Sequence, residues 1–303
     1  MMAKLDTVSV SYQGKDYMIA RIPDVFTNTR NNIFIGPHSL SHALYDNHIG
    51  YADEDARSIL SFAQKLENPY DLAIEWRLLN AKKHGLFSPV ITGTETYLAG
   101  KLRRGPHAEE AFGYTFEKTV LFAASLGVGT TWIAGTMDRG AFERAMEVSE
   151  EEVLPCVSPL GYPAKKMSLR ETMMRKGVKA DSRLPFEALF FDGSFHTPLT
   201  GERAGALERP LEAVRLGPSA VNHQPWRAVR IGDAVHFYEK PGKGMGSDGW
   251  DVQRIDLGIA LSHFELAAVE CGFHPVFRLE DPGIPTEGAI YIASYVLAAQ
   301  PRE

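Results

Sequence analysis

The most informative ten residues of this chain are Gly217-Pro218-Ser219-Ala220-Val221-Asn222-His223-Gln224-Pro225-Trp226. Helical spacing in Gly201 to Leu216 precedes them and a strand-like run, Trp226 to Ile231, follows, so we predict a loop between a helix and a strand. The Ser, Asn and Gln side chains of this loop can both donate and accept hydrogen bonds, and its two prolines stiffen it. Two interpretations stay open: the polar groups satisfy the loop's own backbone, or they bind the edge of a planar heterocycle.

The region after this loop predicts a hairpin, a long helix and two further strands. Gly232-Asp233 lies between two strand-like runs and indicates the hairpin turn. The helix is predicted over Asp251 to Cys271, and Val276 to Leu279 and Ala289 to Val296 are the predicted strands. The apolar residues expected on one buried face of the helix are Ile255, Ile259, Leu266 and Val269.

The region before residue 190 shows a similar alternation of helices and strands. The helices are predicted at Asp53 to Leu66, Pro106 to Leu126 and Arg139 to Glu147, the strands at Leu72 to Leu79, Val128 to Ile133 and Val153 to Leu160, and a basic loop at Arg175 to Leu184. On the second helix, Phe112, Phe116, Val120 and Ala123 are expected to form one buried face. Val8 to Tyr12 and Tyr17 to Ile22 predict an N-terminal hairpin.

Composition excludes several classes of function. The chain has 303 residues, of which 44% are hydrophobic and 23% charged, as in an ordinary globular protein. A net charge of −6 argues against a nucleic-acid-binding surface, and no apolar run approaches the length of a membrane span. Cys156 and Cys271 are too few for a disulfide framework or a cysteine metal site. We therefore expect a cytoplasmic protein that binds neither membrane nor metal.

Five segments together resemble motifs of the nitroreductase family. The 217–226 loop is similar to that family's Ala-Pro-Ser-Ala-x-Asn-x-Gln-Pro-Trp peptide, with Gly217 in place of the first Ala. The other four segments are Leu126 to Gly135, similar to a Gly-Leu-Gly-Thr-x-Trp element, Gly161-Tyr162-Pro163, Ser182-Arg183-Leu184-Pro185, and Asp256 to Ala260, similar to an Asp-x-Gly helix start.

The order of these motifs is that of a particular subfamily. In the common homodimeric members the Pro-Ser peptide precedes the Gly-Leu-Gly element, whereas here it follows. This order resembles a subfamily in which one chain holds two degenerate halves and forms a pseudo-dimer. The resemblance implies an α+β, nitroreductase-like fold with central, mainly antiparallel sheets flanked by helices. It also implies halves at 31–190 and 191–303 and one flavin site per chain, whereas the hairpin at residues 1–30 is an N-terminal extension that has no counterpart in the family pattern.

The resemblance also implies which residues bind FMN. Pro218, Ser219, Asn222 and Gln224 would hold the flavin from the second half. The backbone at Ala134 and Gly135 would face the flavin N5, with Trp132 as a wall, and Arg183 would contact the phosphate. The family usually grips that phosphate with an Arg-Arg-Ser-x-Arg motif near its N-terminus. The corresponding residues here are His38, Ser39 and Ser41, without the arginines. The cations that could compensate are Arg57, Lys165, Lys166, Lys176 and Lys179.

The function implied is that of an FMN-dependent NAD(P)H oxidoreductase with flavin-borne chemistry and no catalytic side chain. NAD(P)H would bind transiently and reduce the flavin, and the acceptor would be a nitroaromatic, a quinone or a similar electron-poor small molecule. The chain would act as a monomeric pseudo-dimer. The alternative is a repurposed or non-catalytic member of the fold that binds FMN weakly or binds another planar ligand, since the phosphate motif has lost its arginines.

Overall fold

The structure is a computed structural model that describes residues 7–12, 15–20, 53–89, 91, 94–161, 169–242, 246–247 and 250–299. Its helices are α1 (Asp53–Ala63), α2 (Ala81–His84), α3 (Ala108–Ser125), α4 (Arg139–Met146), α5 (Leu169–Gly177), α6 (Gly201–Ala204), α7 (Glu208–Leu216) and α8 (Val252–Glu270). Its first seven strands are β1 (Thr7–Tyr12), β2 (Lys15–Ala20), β3 (Glu75–Asn80), β4 (Thr96–Arg103), β5 (Glu152–Val153), β6 (Val157–Leu160) and β7 (Phe190–Asp192). The other seven are β8 (Ser194–Pro198), β9 (Trp226–Ile231), β10 (Ala234–Glu239), β11 (Gly246–Ser247), β12 (Trp250–Asp251), β13 (Phe273–Arg278) and β14 (Ile290–Ala299).

Two main sheets carry most of the strands. In the first, β4 lies at the centre and pairs with β3, β5 and β6, all antiparallel. The second has the order β13-β14-β10-β9-β7-β8 and is antiparallel except between β7 and β9. The predicted N-terminal hairpin is present as the antiparallel pair β1–β2. The fold is therefore α+β with mainly antiparallel sheets, as predicted.

The two sheets repeat one arrangement. In the second, the hairpin β9–β10 leads into α8, and β13 and β14 then return so that β14 pairs with both β10 and β13. In the first, β3–β4 leads into α3, and β6 returns to pair with β4. The segment after α3 pairs with the β6 side through the antiparallel bridges Gly129–Gly161 and Ile133–Val157. The order β3-β4-β6-segment thus matches β9-β10-β14-β13.

The two central helices cross at a pair of glycines. A Cβ built on Gly113 of α3 would lie 2.1 Å from the carbonyl oxygen of Ile255, and one on Gly258 of α8 would lie 2.1 Å from the carbonyl oxygen of Glu110. Each carbonyl belongs to the residue three positions before the opposite glycine. The contact is therefore reciprocal, and it brings the two backbones closer than any side chain would allow.

Burial of the two central helices extends well beyond the apolar face that the sequence indicates on each. Both α3 and α8 are buried at almost every position, including charged ones. The two helices pack against each other, and each of two core clusters contains residues of both, so neighbouring elements cover all their sides. Their polar residues bond to one another across the crossing, as Glu117 does with His263 at 2.8 Å. The spacing of apolar residues along one helix cannot reveal these buried polar contacts, because the two residues of each contact lie far apart in the chain.

Several predicted elements differ in their bounds. Val153 to Leu160 is not one strand but two, β5 and β6, separated around Pro155, which has no amide hydrogen to donate. Val128 to Ile133 forms only the two bridges described above. Gly201 to Leu216 is broken after α6 because Gly205 adopts a left-handed φ of 58°, and α5 extends to Gly177 into the predicted basic loop.

The strands β4, β7 and β8 were not predicted at all. The interior of β4 contains Ala99-Gly100-Lys101, which has little of the alternation or β-branching that indicates a strand. Its Lys101 is buried and pairs with Glu152 at 2.9 Å. β7 is only three residues long. The strands β4 and β7 are therefore specified by pairing with their neighbours in the sheet, and their local sequence does not reveal them.

Candidate functional site

The 217–226 loop has an unusual backbone. Val221, Asn222 and Gln224 all have positive φ, at 46°, 57° and 52°. A β-branched residue such as Val rarely adopts this conformation, and such positions cost of the order of 1–3 kcal/mol each. Strain of this kind persists only where surrounding contacts hold the loop in place.

The polar side chains of the loop supply those contacts. The Ser219 hydroxyl accepts a hydrogen bond from the Gln224 amide at 2.9 Å, and the Gln224 side-chain oxygen accepts one from the Leu184 amide at 2.8 Å. The Asn222 side-chain nitrogen donates to the carbonyls of Lys179 at 2.8 Å and Ser182 at 3.0 Å. A loop in the second part of the chain is thereby fastened to residues 179–184 of the first part.

Arg183 lies in the middle of this junction. Its Nη1 donates to the carbonyl of Ala180 at 2.8 Å and to the Asn222 side-chain oxygen at 3.3 Å, and its Nη2 donates to the carbonyl of Leu216 at 3.3 Å. Burial, reinforced by the nearby Arg215, lowers its pKa to about 10. Its Nε is buried and has no hydrogen-bond partner in the part of the chain that the structure describes. Most of this guanidinium therefore holds the protein together, and one donor is left over.

Asp256, in the first turns of α8, supports the loop from below. Its two carboxyl oxygens lie 3.0 and 3.1 Å from the Ala220 amide nitrogen, which donates to them. The side chain is buried, and that burial raises its pKa well above the usual range even though the Ala220 hydrogen bond opposes the shift. Asp256 belongs to the Asp-x-Gly segment, which the sequence singled out without assigning it to the site.

The Ala134–Gly135 backbone forms a second part of the candidate site. Arg139, at the start of α4, donates to the carbonyls of Ala134 at 3.0 Å and Leu154 at 2.6 Å, which fixes this segment. Gly135 is exposed, and a Cβ on it would meet no atom of the described residues within 4 Å. Among those residues, space is therefore available beside this backbone for a flat ligand.

Cys156 follows Pro155, whose carbonyl accepts a hydrogen bond from Arg139 at 3.4 Å. It is fully buried, and burial raises the pKa of its thiol well above the usual range. Arg139 lowers that pKa and Asp256 raises it.

The structure distributes the predicted site residues as follows. Pro218, Ser219, Asn222, Gln224 and Arg183 come together at the junction, and Ala134 and Gly135 belong to the second segment. Trp132 is a core residue that packs on Phe116 with ring centroids 4.7 Å apart and donates to Glu117 at 3.2 Å.

Some predicted residues are not covered, and others were missed. His38, Ser39, Ser41, Tyr162 and Pro163 lie outside the described residues. Sequence reasoning missed the supporting roles of Arg139 and Asp256 and the use of the Leu184 amide. A backbone amide carries no sequence signal, and Arg139 has none beyond its place at a helix start.

A buried charge cluster lies near the starts of both central helices. Arg254 of α8 contacts Glu110 of α3 at 2.8 Å and Glu239, the last residue of β10, at 3.1 Å. Both glutamates are almost fully buried. Burial, with a further contribution from Asp251, raises the pKa of Glu239 to about 7. Glu239 should therefore gain or lose its proton near neutral pH.

We expect the free energy of unfolding to fall as the pH rises from about 4.5 to 7, because folded Glu239 holds its proton over that range and the unfolded residue does not. The loss should amount to roughly 3 kcal/mol. Glu239→Gln cannot ionise at this position. Its free energy of unfolding, measured with urea at pH 5 and pH 8, should therefore fall by less than that of the wild type. The exposed Glu151→Gln is the control and should keep the wild-type dependence. An equal fall in the free energy of unfolding between pH 5 and pH 8 for wild type and Glu239→Gln would contradict the prediction.

Comparison with known proteins identifies the family. A family model described as "Putative TM nitroreductase" matches residues 45–268, more than half of the chain. The chain belongs to this nitroreductase family. Its members are oxidoreductases, and the α+β, nitroreductase-like fold agrees with that assignment. No curated protein matches the chain.

Solved structures with this fold include a Thermotoga maritima protein described as a "putative nitroreductase". It is 18% identical, has a TM-score of 0.52, and the match covers 88% of this nitroreductase and 95% of that chain. A Bacteroides thetaiotaomicron "NADH dehydrogenase/NAD(P)H nitroreductase" is 18% identical with 46% and 89% coverage and a TM-score of 0.36. An "FMN-dependent Nitroreductase" from Clostridium difficile is 14% identical with 42% and 84% coverage and a TM-score of 0.36. Among the described residues, no helix could span a membrane.

Proposed function

We propose that this nitroreductase is an FMN-dependent NAD(P)H oxidoreductase that reduces electron-poor small molecules such as nitroaromatics and quinones. The observation that carries the proposal is the 217–226 loop, whose strained backbone is fixed to residues 179–184 by Asn222 and Gln224. Preorganised polar loops of this kind suit a ligand with a fixed pattern of donors and acceptors. Family membership supplies the reaction class.

The described residues fit a flavin. Considering the described residues alone, the Gly135 backbone is exposed with open space beside it, and the buried Nε of Arg183 has no partner. In this proposal Pro218, Ser219, Asn222 and Gln224 hold the ring from one side, and the Ala134–Gly135 backbone faces its reactive edge. When bound, FMN supplies the hydride transfer through N5, from NAD(P)H to the acceptor. The protein positions both partners and needs no acid or base side chain.

The proposal includes one flavin per chain, bound between halves at 31–190 and 191–303. The repeated sheet order and the reciprocal crossing of Gly113 and Gly258 support a pseudo-dimer with the hairpin of residues 1–30 as an extension. With both walls on one chain, the protein would act as a monomer, and we place it in the cytoplasm. Because the two proposed halves resemble each other, the 217–226 loop can be compared with the equivalent loop of the first half.

The loop of the first half supports a single site. Trp76 and Trp226 are buried and lie at the start of equivalent strands. Counting back from each Trp, the positions of Ser219, Asn222 and Gln224 are occupied in the first half by Pro69, Leu72 and Ile74. The loop shape is partly kept, since Asp71 has a φ of 54° where Val221 has 46°.

Aromatic rings also fill this part of the first half. Tyr70, at the position of Ala220, stacks on His107 with ring centroids 4.9 Å apart and meets the edge of Phe277 at 5.0 Å. An aromatic side chain thus takes the position that a small residue has in the second half. This loop has lost its flavin-directed polar groups, which is consistent with one flavin per chain.

One observation favours the alternative of a repurposed pocket. The side-chain amides of Asn222 and Gln224 are already bonded to the protein itself. If those bonds persist with ligand present, the loop can hold FMN only weakly or can hold another planar ligand.

The test is an absorbance scan of the purified protein after incubation with FMN and desalting. We expect retained flavin bands, and NAD(P)H oxidation that depends on an added quinone or nitroaromatic. Gly135→Leu should abolish both, because its side chain would enter the space beside the exposed backbone. Gly105→Leu is the matched control, since Gly105 is also exposed with open space around it. A colourless wild-type protein without NAD(P)H oxidation would favour the repurposed pocket.

A further inference from the structure

A positively charged groove lies beside the 217–226 loop. Its volume is about 550 Å³, and it is lined by the last turns of α5 and the turn that follows. Three cations, Arg175, Lys176 and Lys179, line it together with one carboxylate, Asp181. The groove is thus large enough for a phosphate group and has an excess of positive charge.

The cations of the groove differ in how they are used. Arg175 is buried and pairs with Asp181, so its position is fixed. Lys176 and Lys179 are exposed and have no ion-pair partner among the described residues. Two cations are therefore available to a ligand, and a fixed ion pair forms the wall behind them.

The carbonyls at the end of α5 would repel an anion if they were free, but they already accept hydrogen bonds. Lys176 accepts one from the Lys179 amide at 3.2 Å, and Arg175 accepts one from the Ala180 amide at 2.9 Å. The Lys179 carbonyl accepts from the Ser182 amide at 2.9 Å and from Asn222 at 2.8 Å. The negative end of the helix dipole is thereby covered, which leaves the lysines to set the local potential.

We propose that this groove binds a phosphate monoester dianion, and that the phosphate is that of FMN. The inference rests on the proposed function. The Asn222 side chain bonds to the carbonyl of Lys179, which lines the groove, and so joins the groove to the loop that holds the flavin. Arg183 follows the lining residue Ser182 and bonds to Asn222, and its Nε has no hydrogen-bond partner among the described residues. Lys176 and Lys179 would then replace the arginines that are missing at His38 to Ser41.

A simpler role for these cations is to offset the dipole of α5. Basic residues in the last turn of a helix do this commonly, and Arg175 and Lys176 occupy that turn. Lys179 is the left-handed residue, with φ of 51°, of the turn that caps α5 through the Lys179 and Ala180 amides. Capping and dipole roles predict that these lysines do not distinguish a flavin with a phosphate from one without it.

The experiment compares FMN with riboflavin, which lacks the phosphate. Dissociation constants are measured by flavin fluorescence for wild type, for Lys176→Ala/Lys179→Ala, and for the control Lys82→Ala/Lys83→Ala, which removes two exposed lysines elsewhere. A charged hydrogen bond contributes enough for about a tenfold change or more in affinity. We expect the preference for FMN over riboflavin to fall at least tenfold in the groove variant, with riboflavin affinity and the control unchanged.

Three outcomes would overturn this assignment. If wild type binds both flavins equally, the groove does not hold the flavin phosphate, and the proposed function stands. If the preference survives in the groove variant but the KM for NADPH rises relative to that for NADH, the groove binds the 2′-phosphate of the nicotinamide donor instead. If wild type binds neither flavin, the proposed function fails and the assignment fails with it.

Discussion

Gly258→Ala is expected to lower the free energy of unfolding by more than about 3 kcal/mol, the upper part of the range for an overpacked core. The added Cβ would lie 2.1 Å from the carbonyl oxygen of Glu110 and 2.7 Å from the amide nitrogen of Tyr114. Both atoms belong to the backbone of α3, so no side-chain rotation can relieve the clash. The helices must separate, and the buried residues around them lose their packing. Urea unfolding followed by circular dichroism measures the change.

The matched control is Gly140→Ala, which places the same methyl group in α4 near two side-chain ends, the flexible end of Arg144 at 3.2 Å and the Asp138 carboxylate at 3.8 Å. It should be neutral or stabilising by up to about 1 kcal/mol, since Ala favours a helix. Gly113→Ala should be as harmful as Gly258→Ala. The double variant Gly113→Ala/Gly258→Ala should lose less stability than the two single variants added together, because helices that one methyl group has already separated can accommodate the second. A stable Gly258→Ala protein would show that the helices do not cross as closely as the structure has them.

Glu265→Leu is expected to cost about 3–5 kcal/mol, the usual result of removing one partner of a buried charge pair. Glu265 of α8 is buried and accepts hydrogen bonds from the hydroxyls of Tyr114 and of Tyr295, the latter at 2.9 Å. The ammonium group of Lys118 lies 3.5 Å away and is also buried, and burial lowers its pKa. Removing the carboxylate leaves this amine without its counter-charge in the interior. Chemical unfolding at pH 7 measures the loss.

Replacing Lys118 as well as Glu265 separates the effect of the buried charges from the effect of side-chain packing. In the double variant Lys118→Met/Glu265→Leu, both charges are replaced by apolar groups, so much of the lost stability should return. Glu54→Leu, at an exposed position of α1, is the control for the substitution itself and should change stability by less than about 1 kcal/mol. If the double variant is no more stable than Glu265→Leu, the charge pair is not the cause of the loss.

The elements predicted well from sequence are those whose signals are local. The hairpin β9–β10 has Gly232 at its turn with a φ of 59°, and Gly127, with a φ of 76°, follows directly after the end of α3 and its cap residue Leu126. In both places a glycine tolerates a conformation that other residues avoid, so the position of the glycine fixes the end of the element. The strand β4 shows the opposite case. It is buried along most of its length and pairs with three other strands, but its own residues do not indicate a strand.

In the candidate site, too, some features could be predicted from local sequence and others could not. The motif residues Ser219, Asn222, Gln224 and Arg183 could be named from the chain because their types and spacing resemble a family pattern. What they contact could not. Asn222 and Gln224 bond to the backbone of residues 179–184, about forty positions earlier in the sequence. The supports Asp256 and Arg139 act through carbonyl and amide groups, which every residue has.

The sequence by itself determined the family, the reaction class that the family implies and most of the helices, since motifs, glycines and apolar spacing are local properties. Only the tertiary structure decided how the central helices cross, which charges are buried together and where the basic residues at 175–179 lie relative to the loop. These depend on the approach of segments far apart in the chain. Their energies come from close packing and from desolvated charges, which take definite values only once the distances between atoms are fixed.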